Sequence, residues 1–266
     1  MNLSSRWDDL MPRMMSALAM VVVGGSGLAL GGVWLAMLLS LVCGVMIWEA
    51  INLLAPAQRE RAIGFAGVVG GAFFIATWLP VFSAVIMMTV SVAAMHRMLA
   101  MQSCMFIAYA GLICAGAMGI FVLQLHAGLL PVLWLVGLVI LTDVAGYFAG
   151  RIIGGPKFWP SISPKKTWSG TVAGWLCAAF LGGLMFGQFP DTHWVVVPLS
   201  VVLSAVSQLG DIFESHLKRQ AGVKDSSNLI PGHGGVLDRF DGMIAAAAAL
   251  FFVQMVFSPW VGFAAQ

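Results

Sequence analysis

The sequence predicts an all-α, polytopic integral membrane protein with about nine transmembrane helices, on three observations. The 266 residues are 60% hydrophobic and only 9% charged, against about a quarter charged in soluble domains. Three stretches, between Arg13 and Glu49, between Arg61 and Arg97, and from Phe106 to Thr142, hold no acid, lysine or arginine. Each exceeds the roughly 20 apolar residues a spanning helix needs. Finally, once the chain is cut into helices, its thirteen Lys and Arg all fall on one side.

The cut follows Gly, Pro and polar clusters and gives spans at about 14–30, 33–54, 62–78, 81–96, 104–124, 130–150, 169–188, 194–213 and 242–258. The run 14–54 overshoots a bilayer as one helix, so it must fold back near Gly31–Gly32. Trp78-Leu79-Pro80 makes a second tight reversal. Arg6 and Arg13 precede the first span, Arg59 and Arg61 follow the second, and Arg97 follows the fourth. Arg151, Lys157, Lys165 and Lys166 follow the sixth, and Lys218, Arg219, Lys224 and Arg239 follow the eighth. By the positive-inside rule the N-terminus is then cytoplasmic and the C-terminal VGFAAQ extracytoplasmic. The opening MNLSSRWDDLMPR, broken by Asp8 and Asp9, does not read as a cleaved signal peptide. Residues 1–100 read as anchoring and oligomerisation helices, and 101–266 as a catalytic transmembrane region with polar cytoplasmic loops. Cys43, Cys104, Cys114 and Cys177 lie in apolar stretches without CxxC spacing, so neither a disulfide framework nor a zinc site is expected.

Charge gathers in two places. In the segment from Ser207 to Gly242, Asp211, Glu214, Ser215 and Lys218 are spaced i, i+3, i+4, i+7 and share a helical face. Asp238 and Asp241 share a face at the start of the last span. Paired hard oxygen donors at helix ends suit a divalent cation such as Mg2+, which keeps positions for water and substrate phosphates. Lys218, Arg219, Lys224 and Arg239 supply positive charge for phosphate oxygens. Gly232, Gly234 and Gly235 let the backbone approach a ligand. In the second cluster, Asp143, Tyr147 and Arg151 lie four apart on the sixth span, and Gly146 and Gly150 permit close helix packing. An ionised Asp143 near the end of a span is a functional candidate. Lys165 and Lys166, with Ser163, Thr167 and Ser169, stand before the next helix, whose N-terminus favours anions.

Simpler accounts cover other residues. Arg6, Arg13, Arg59, Arg61 and Arg97 read as topology determinants and contacts to anionic lipid. Glu49 reads as a snorkelling or paired residue, His126 and His193 as solvated turn residues, and Tyr147 as an interfacial anchor. For Asp143, Asp211, Asp238 and Asp241 the competing reading is salt bridging with Arg151, Lys218 and Arg239, a network that would not need the glycines. A transporter would place its acids near the bilayer midplane, whereas these clusters all lie at one face. The residues themselves therefore point to a phosphate- and metal-handling site at the cytoplasmic face.

The stretch Ser215–Asp241, SHLKRQAGVKDSSNLIPGHGGVLDRFD, resembles the signature of phosphatidate cytidylyltransferases, the CDP-diacylglycerol synthases. Ser215, Lys218, Arg219, Lys224, Asp225, Pro231, His233, Gly234, Gly235, Asp238, Arg239 and Asp241 fill its positions. Asp143–Arg151 and Ser163–Thr167 resemble two further stretches of that family. Val144 departs from its usual Thr or Ser, and Ser169 from its usual Glu. The resemblance implies a nucleotidyltransferase of phospholipid biosynthesis in a bacterial inner membrane, making CDP-diacylglycerol and pyrophosphate from CTP and phosphatidate. It implies Mg2+, with a monovalent cation such as K+ as a second ion. The metal ligands it implies are Asp211 and Asp238, with Asp143 and Asp241 in support. Lys165 and Lys166 would hold the CTP triphosphate. Lys218, Arg219 and Arg239 would meet the lipid phosphate or the leaving group, and His233 would orient the glycine loop or donate to a phosphate. The partners implied are CTP, phosphatidate, membrane lipids and a second copy of the chain as a homodimer, with no nucleic acid. The nearest alternatives are an enzyme using CTP on another lipid phosphate, a CTP-dependent lipid kinase, or an inactive paralogue.

Overall fold

The computed structural model describes residues 10–99, 104–188 and 193–257. Arg6, with the rest of residues 1–9 of the opening segment read against a signal peptide, and the C-terminal VGFAAQ lie outside them. Nine α-helices occur among the described residues: α1 Leu10–Leu30, α2 Gly32–Leu54, α3 Arg59–Ala76, α4 Val81–Met98, α5 Cys104–Ala127, α6 Leu129–Ile152, α7 Trp168–Gln188, α8 Val196–Gln220 and α9 Leu237–Phe257. All except α3 are long and apolar enough to cross a membrane. In α3 the charges of Arg59, Glu60 and Arg61 occupy the first turn, which shortens the uncharged part of the helix. The chain is an all-α polytopic membrane protein, built as two compact units: Met1–Cys114 with Gln220–Phe240, and Ala115–Arg219 with Asp241–Gln266.

In the first unit, α1 and α2 part at Gly31 and Gly32, whose φ of 62° and 48° suits glycine. The expected fold-back falls there. Pro80 stands just before α4, at the expected second reversal. The core gathers Leu35, Cys43, Ile47, Val69 and Phe73, all fully buried. The backbones of α2 and α3 meet where side chains are smallest: a Cβ on Gly70 would stand 2.9 Å from the Ser40 carbonyl oxygen, and one on Gly44 3.1 Å from that of Ala66. Membrane helices approach this closely only through such residues.

In the second unit, α6 and α7 cross at Gly146 and Gly170, where a Cβ on Gly170 would run into the Gly146 carbonyl. Gly116 and Gly119 bring α5 against the Ile244 and Ala247 backbone of α9 in the same way. Buried polar side chains tie α6 to α8, since Thr142 and Ser204 hydroxyls lie 2.8 Å apart and Trp134 Nε1 donates to Ser200 Oγ at 3.2 Å. Between α6 and α7 the chain forms a hairpin that periodicity did not reveal. Strand β1, Lys157–Trp159, pairs antiparallel with β2, Ser163–Thr167. Each strand is too short for an alternating pattern to stand out, and prolines at 156, 160 and 164 read as loop.

Candidate active site: a carboxylate cluster and a capped glycine loop

The acidic cluster belongs to the second unit. Glycines set it up: a Cβ on Gly210 would stand 2.8 Å from the Asp241 carbonyl oxygen, and one on Gly242 3.1 Å from that of Ser207. With the α8 and α9 backbones in contact, the neighbours of these glycines, Asp211 and Asp241, face one another's helices. Glu214 lies one turn beyond Asp211. Carboxylate oxygens of Asp211, Glu214 and Asp241 all lie within 4.8 Å of one another. Glu214 is fully buried, and the two aspartates are half-buried.

Two lysines oppose this charge. Lys166 Nζ pairs with Asp211 Oδ2 at 2.5 Å, and Lys218 Nζ with Glu214 Oε2 at 2.5 Å. Lys166 also donates to the Gln208 carbonyl at 3.4 Å, and Ser215 Oγ donates to Asp211 Oδ1 at 3.3 Å. The Asp241 carboxylate accepts from its neighbour Gly242 N–H at 2.6 Å. Asp143, from α6, lies within electrostatic reach of Lys166 and Asp211, and Asp241 feels Asp211, Glu214 and Asp143. Each like-charged pair at such separations costs on the order of 3 kcal/mol at an effective dielectric near 20. Four carboxyl groups thus share two lysines. An oxygen-only, carboxylate-rich donor set of this kind fits a hard divalent cation such as Mg2+.

In β2, Lys165 is exposed and Lys166 half-buried, because neighbouring strand residues point to opposite faces. The lysine pair is thereby divided: Lys166 joins the cluster, and Lys165 is presented outward between Ser163 and Thr167. Thr167 Oγ1 accepts the Gly170 N–H at 3.2 Å, in the manner of a helix cap. Ser169, where the resembling family carries Glu, donates to the Gly154 carbonyl at 2.5 Å and lies 3.0 Å from Thr167 Oγ1. It pins the hairpin to the start of α7. Arg151 Nη1 donates to Tyr147 Oη at 2.7 Å on the exposed face of α6.

The first unit holds the glycine loop. Asp238 Oδ2 accepts Ser226 N–H and Oγ–H, both at 2.9 Å, and Gly235 N–H at 2.7 Å. Glu49, fully buried at the end of α2, accepts Ser227 Oγ at 2.5 Å, Val236 N–H at 3.0 Å and Leu237 N–H at 2.7 Å. It thus satisfies donors at the start of α9, where an anion is favoured. His233 Nδ1 lies 2.8 Å from Ser16 Oγ, and its carbonyl accepts Arg239 Nε at 2.9 Å. Gly232 and Gly234 have φ of 74° and 84°, and a Cβ on Gly235 would stand within 3 Å of the Glu49 carboxylate carbon. These glycines therefore have structural reasons of their own, so they do not by themselves favour a ligand over a pairing network. Lys224 and Arg219 are exposed at either end of the α8–loop junction.

Glu214 is legible in the sequence as a face-mate of Asp211 and one of the paired oxygen donors, whereas Glu49 is the residue that sequence reasoning leaves outside the site. Glu49 was expected to be paired, but its partners lie nearly two hundred residues away and left no local trace.

Because Gly210 sets the α8–α9 contact, Gly210→Ala is expected to lower the unfolding temperature and cost about 1–3 kcal/mol, with activity falling in step. Gly183→Ala, whose Cβ meets nothing within 4 Å, is the matched control. Equal thermal unfolding of the two variants in detergent would contradict this origin of the cluster.

Fold and site together define a helical membrane protein with a carboxylate cluster met by two lysines. Residues 11–257 match the cytidylyltransferase family, and the chain belongs to it. It is similar to the phosphatidate cytidylyltransferase of Brucella suis, with 49% identity over 133 residues, 49% of this chain and 49% of that protein. It is likewise similar to that of Staphylococcus epidermidis, with 47% identity over 117 residues, 43% of this chain and 45% of the relative. The chain spans about half the length of the curated relatives it matches.

Proposed function

We propose that this chain is a phosphatidate cytidylyltransferase, converting CTP and phosphatidate to CDP-diacylglycerol and pyrophosphate at the cytoplasmic face of a bacterial inner membrane. The observation that carries the reading is the convergence of Asp211, Glu214 and Asp241 beside Lys166 in a chain of the cytidylyltransferase family. An oxygen of the lipid phosphate attacks the α-phosphorus of CTP. The bond from that phosphorus to the bridging oxygen breaks on the far side, and pyrophosphate leaves with the electron pair. No side chain serves as nucleophile, and a general base is not needed, because a phosphate monoester with a second pKa near 6 is already largely deprotonated.

Asp211, Glu214 and Asp241 would hold Mg2+, with Asp143 adding negative charge nearby. When bound, the ion supplies charge neutralisation and alignment of two mutually repelling anions. Lys166 and Lys218 keep the carboxylates in place. Lys165, with Ser163 and Thr167, binds the triphosphate, while Lys224, Arg219 and Arg239 supply positive charge for the lipid phosphate or pyrophosphate. Asp238, the second ligand the family resemblance implies, also holds the glycine loop together through Ser226 and Gly235. His233 orients that loop.

The reading is tested by incubating purified protein with phosphatidate and CTP labelled at the α- or γ-phosphate. Label from the α position is expected in lipid, and γ label there would instead mark a kinase. Lys165→Ala is expected to raise the KM for CTP about tenfold, the size of one lost charge-assisted hydrogen bond, with little change in kcat. An unchanged CTP saturation curve would remove Lys165 from nucleotide binding.

A further inference from the structure

Most of α1 is exposed, but Ser16, Met20, Gly24 and Gly27, spaced along one face, are half-buried or buried. At the head of that face the helix meets the glycine loop of the same unit. Ser16 Oγ lies 3.0 Å from the Pro231 carbonyl oxygen, 3.1 Å from that of Arg13 and 2.8 Å from His233 Nδ1. Gly232 stands between the two loop residues, and a Cβ there would run into the Arg13 side chain. The loop backbone is fixed around the histidine. Ile230 N–H donates to the Gly234 carbonyl at 2.8 Å, His233 N–H to the Ile230 carbonyl at 2.9 Å, and Arg239 Nε to the His233 carbonyl at 2.9 Å. What these bonds leave open is the direction and protonation of the imidazole ring.

Hydrogen counting decides both. A hydroxyl has one hydrogen and two lone pairs, and a carbonyl oxygen can only accept. If Ser16 gave its hydrogen to His233, the Pro231 oxygen would face a hydroxyl lone pair at 3.0 Å with no hydrogen between them. With the hydrogen given to Pro231 and shared with Arg13, the 2.8 Å contact runs the other way, and Nδ1–H donates to Ser16 Oγ. His233 is half-buried, and its Nε2 makes no hydrogen bond to a described residue.

We propose that Ser16 is a positioning residue for His233. By accepting Nδ1–H it fixes the tautomer and the orientation of the ring, and it leaves Nε2 as the nitrogen that can meet substrate. The first helix, read from the sequence as an anchor, thereby also supports the loop that carries the family signature. In its effect on turnover the proposal rests on the cytidylyltransferase reading above.

Solid-state NMR of the full chain in bilayers, with carbon- and nitrogen-labelled histidine rings, reads the tautomer without requiring turnover. The unprotonated ring nitrogen is bonded to Cδ2 when it is Nε2 and to Cγ when it is Nδ1. The His233 signal is assigned by its loss in His233→Gln. With the ring titrated to its neutral form, that signal is expected to show the Cδ2 pattern in wild type. Ser16→Ala should shift it toward the Cγ pattern, because nothing then accepts Nδ1–H. Ser16→Thr should keep the wild-type pattern, since threonine in a helix can hold its hydroxyl against the preceding turn. Transfer of α-label to phosphatidate should fall about tenfold in Ser16→Ala, the size of one lost hydrogen bond. In Ser16→Thr it should return to within about twofold of wild type. Ser26→Ala removes an α1 hydroxyl bonded to its own helix at the Val23 carbonyl, and as the control it should match wild type in both measurements. Alanine favours a helix more than serine does, so neither alanine variant should unfold α1. An unprotonated Nδ1 in wild type, a tautomer unchanged by Ser16→Ala, or undiminished transfer in that variant would each overturn the proposal. If the tautomer responds as expected and wild type forms no CDP-lipid, the proposed reaction fails while Ser16 still sets the ring of His233.

Discussion

Asp211→Asn is expected to lower cytidylyl transfer at least 100-fold while leaving the chain folded. Asparagine keeps the size of the side chain and an oxygen to accept the Ser215 hydroxyl, but it removes the charge that pairs with Lys166 and faces Glu214 and Asp241. Losing that charge weakens the hold on a divalent ion, and loss of one preorganised electrostatic contact at a reacting centre commonly costs 100-fold or more. Folding is expected to survive for a related reason. The variant relieves repulsion of on the order of 3 kcal/mol per close carboxylate pair, which offsets the lost Lys166 pair. Turnover of α-labelled CTP, measured beside thermal unfolding in detergent without added metal, separates the two effects. A variant retaining a tenth or more of its activity would remove Asp211 from the metal site.

Glu49→Ala should produce the largest loss of stability of any single substitution at the glycine loop. The carboxylate is fully buried and takes three hydrogen bonds, two of them from backbone N–H groups at the start of α9. Hydrogen bonds to a charged acceptor contribute about 1.5–3 kcal/mol each, and donors left buried without an acceptor carry their own desolvation cost. A loss of about 4 kcal/mol is therefore expected, felt first as opening of residues 221–236. Faster cleavage in that segment during limited proteolysis, with activity falling in parallel, would bear this out. Glu49→Gln, which keeps an acceptor oxygen, should lose less. If Glu49→Ala retained wild-type proteolytic resistance, the loop would have to be held by other contacts.

Much of the fold was legible because the bilayer demands long apolar helices, and such helices announce themselves as uncharged runs. The Gly31–Gly32 reversal and the Gly146 contact could be read for the same reason, since a positive φ or a close backbone approach leaves glycine as a visible residue. The β1–β2 hairpin could not, because strands of three and five residues broken by prolines show no period. It mattered, since strand geometry separates Lys165 from Lys166, a pair that reads as one unit in the sequence.

Within the site, Asp211 and Asp241 were legible from their spacing and from the signature around them, and Glu214 was visible as a face-mate of Asp211. The role of Glu49 was not, because a hydrogen bond between residues 49 and 237 has no local pattern. The glycines at 232, 234 and 235 were legible as constraints but ambiguous in cause. The same residue type serves a turn, a buried carboxylate neighbour or a ligand, and only the φ values and the contact with Glu49 separate these.

Whether the three carboxylates of α8 and α9 hold the ion the reaction needs can be measured directly. Mn2+ serves as a paramagnetic stand-in for Mg2+, and its binding to the purified full chain is followed by electron paramagnetic resonance in wild type and Asp211→Asn. The wild type should bind Mn2+ in competition with Mg2+, over the concentration range in which either ion supports transfer of α-label to lipid, and the variant should lose that binding. Mn2+ affinity unchanged by the substitution, or full label transfer with all divalent ions chelated, would contradict the account.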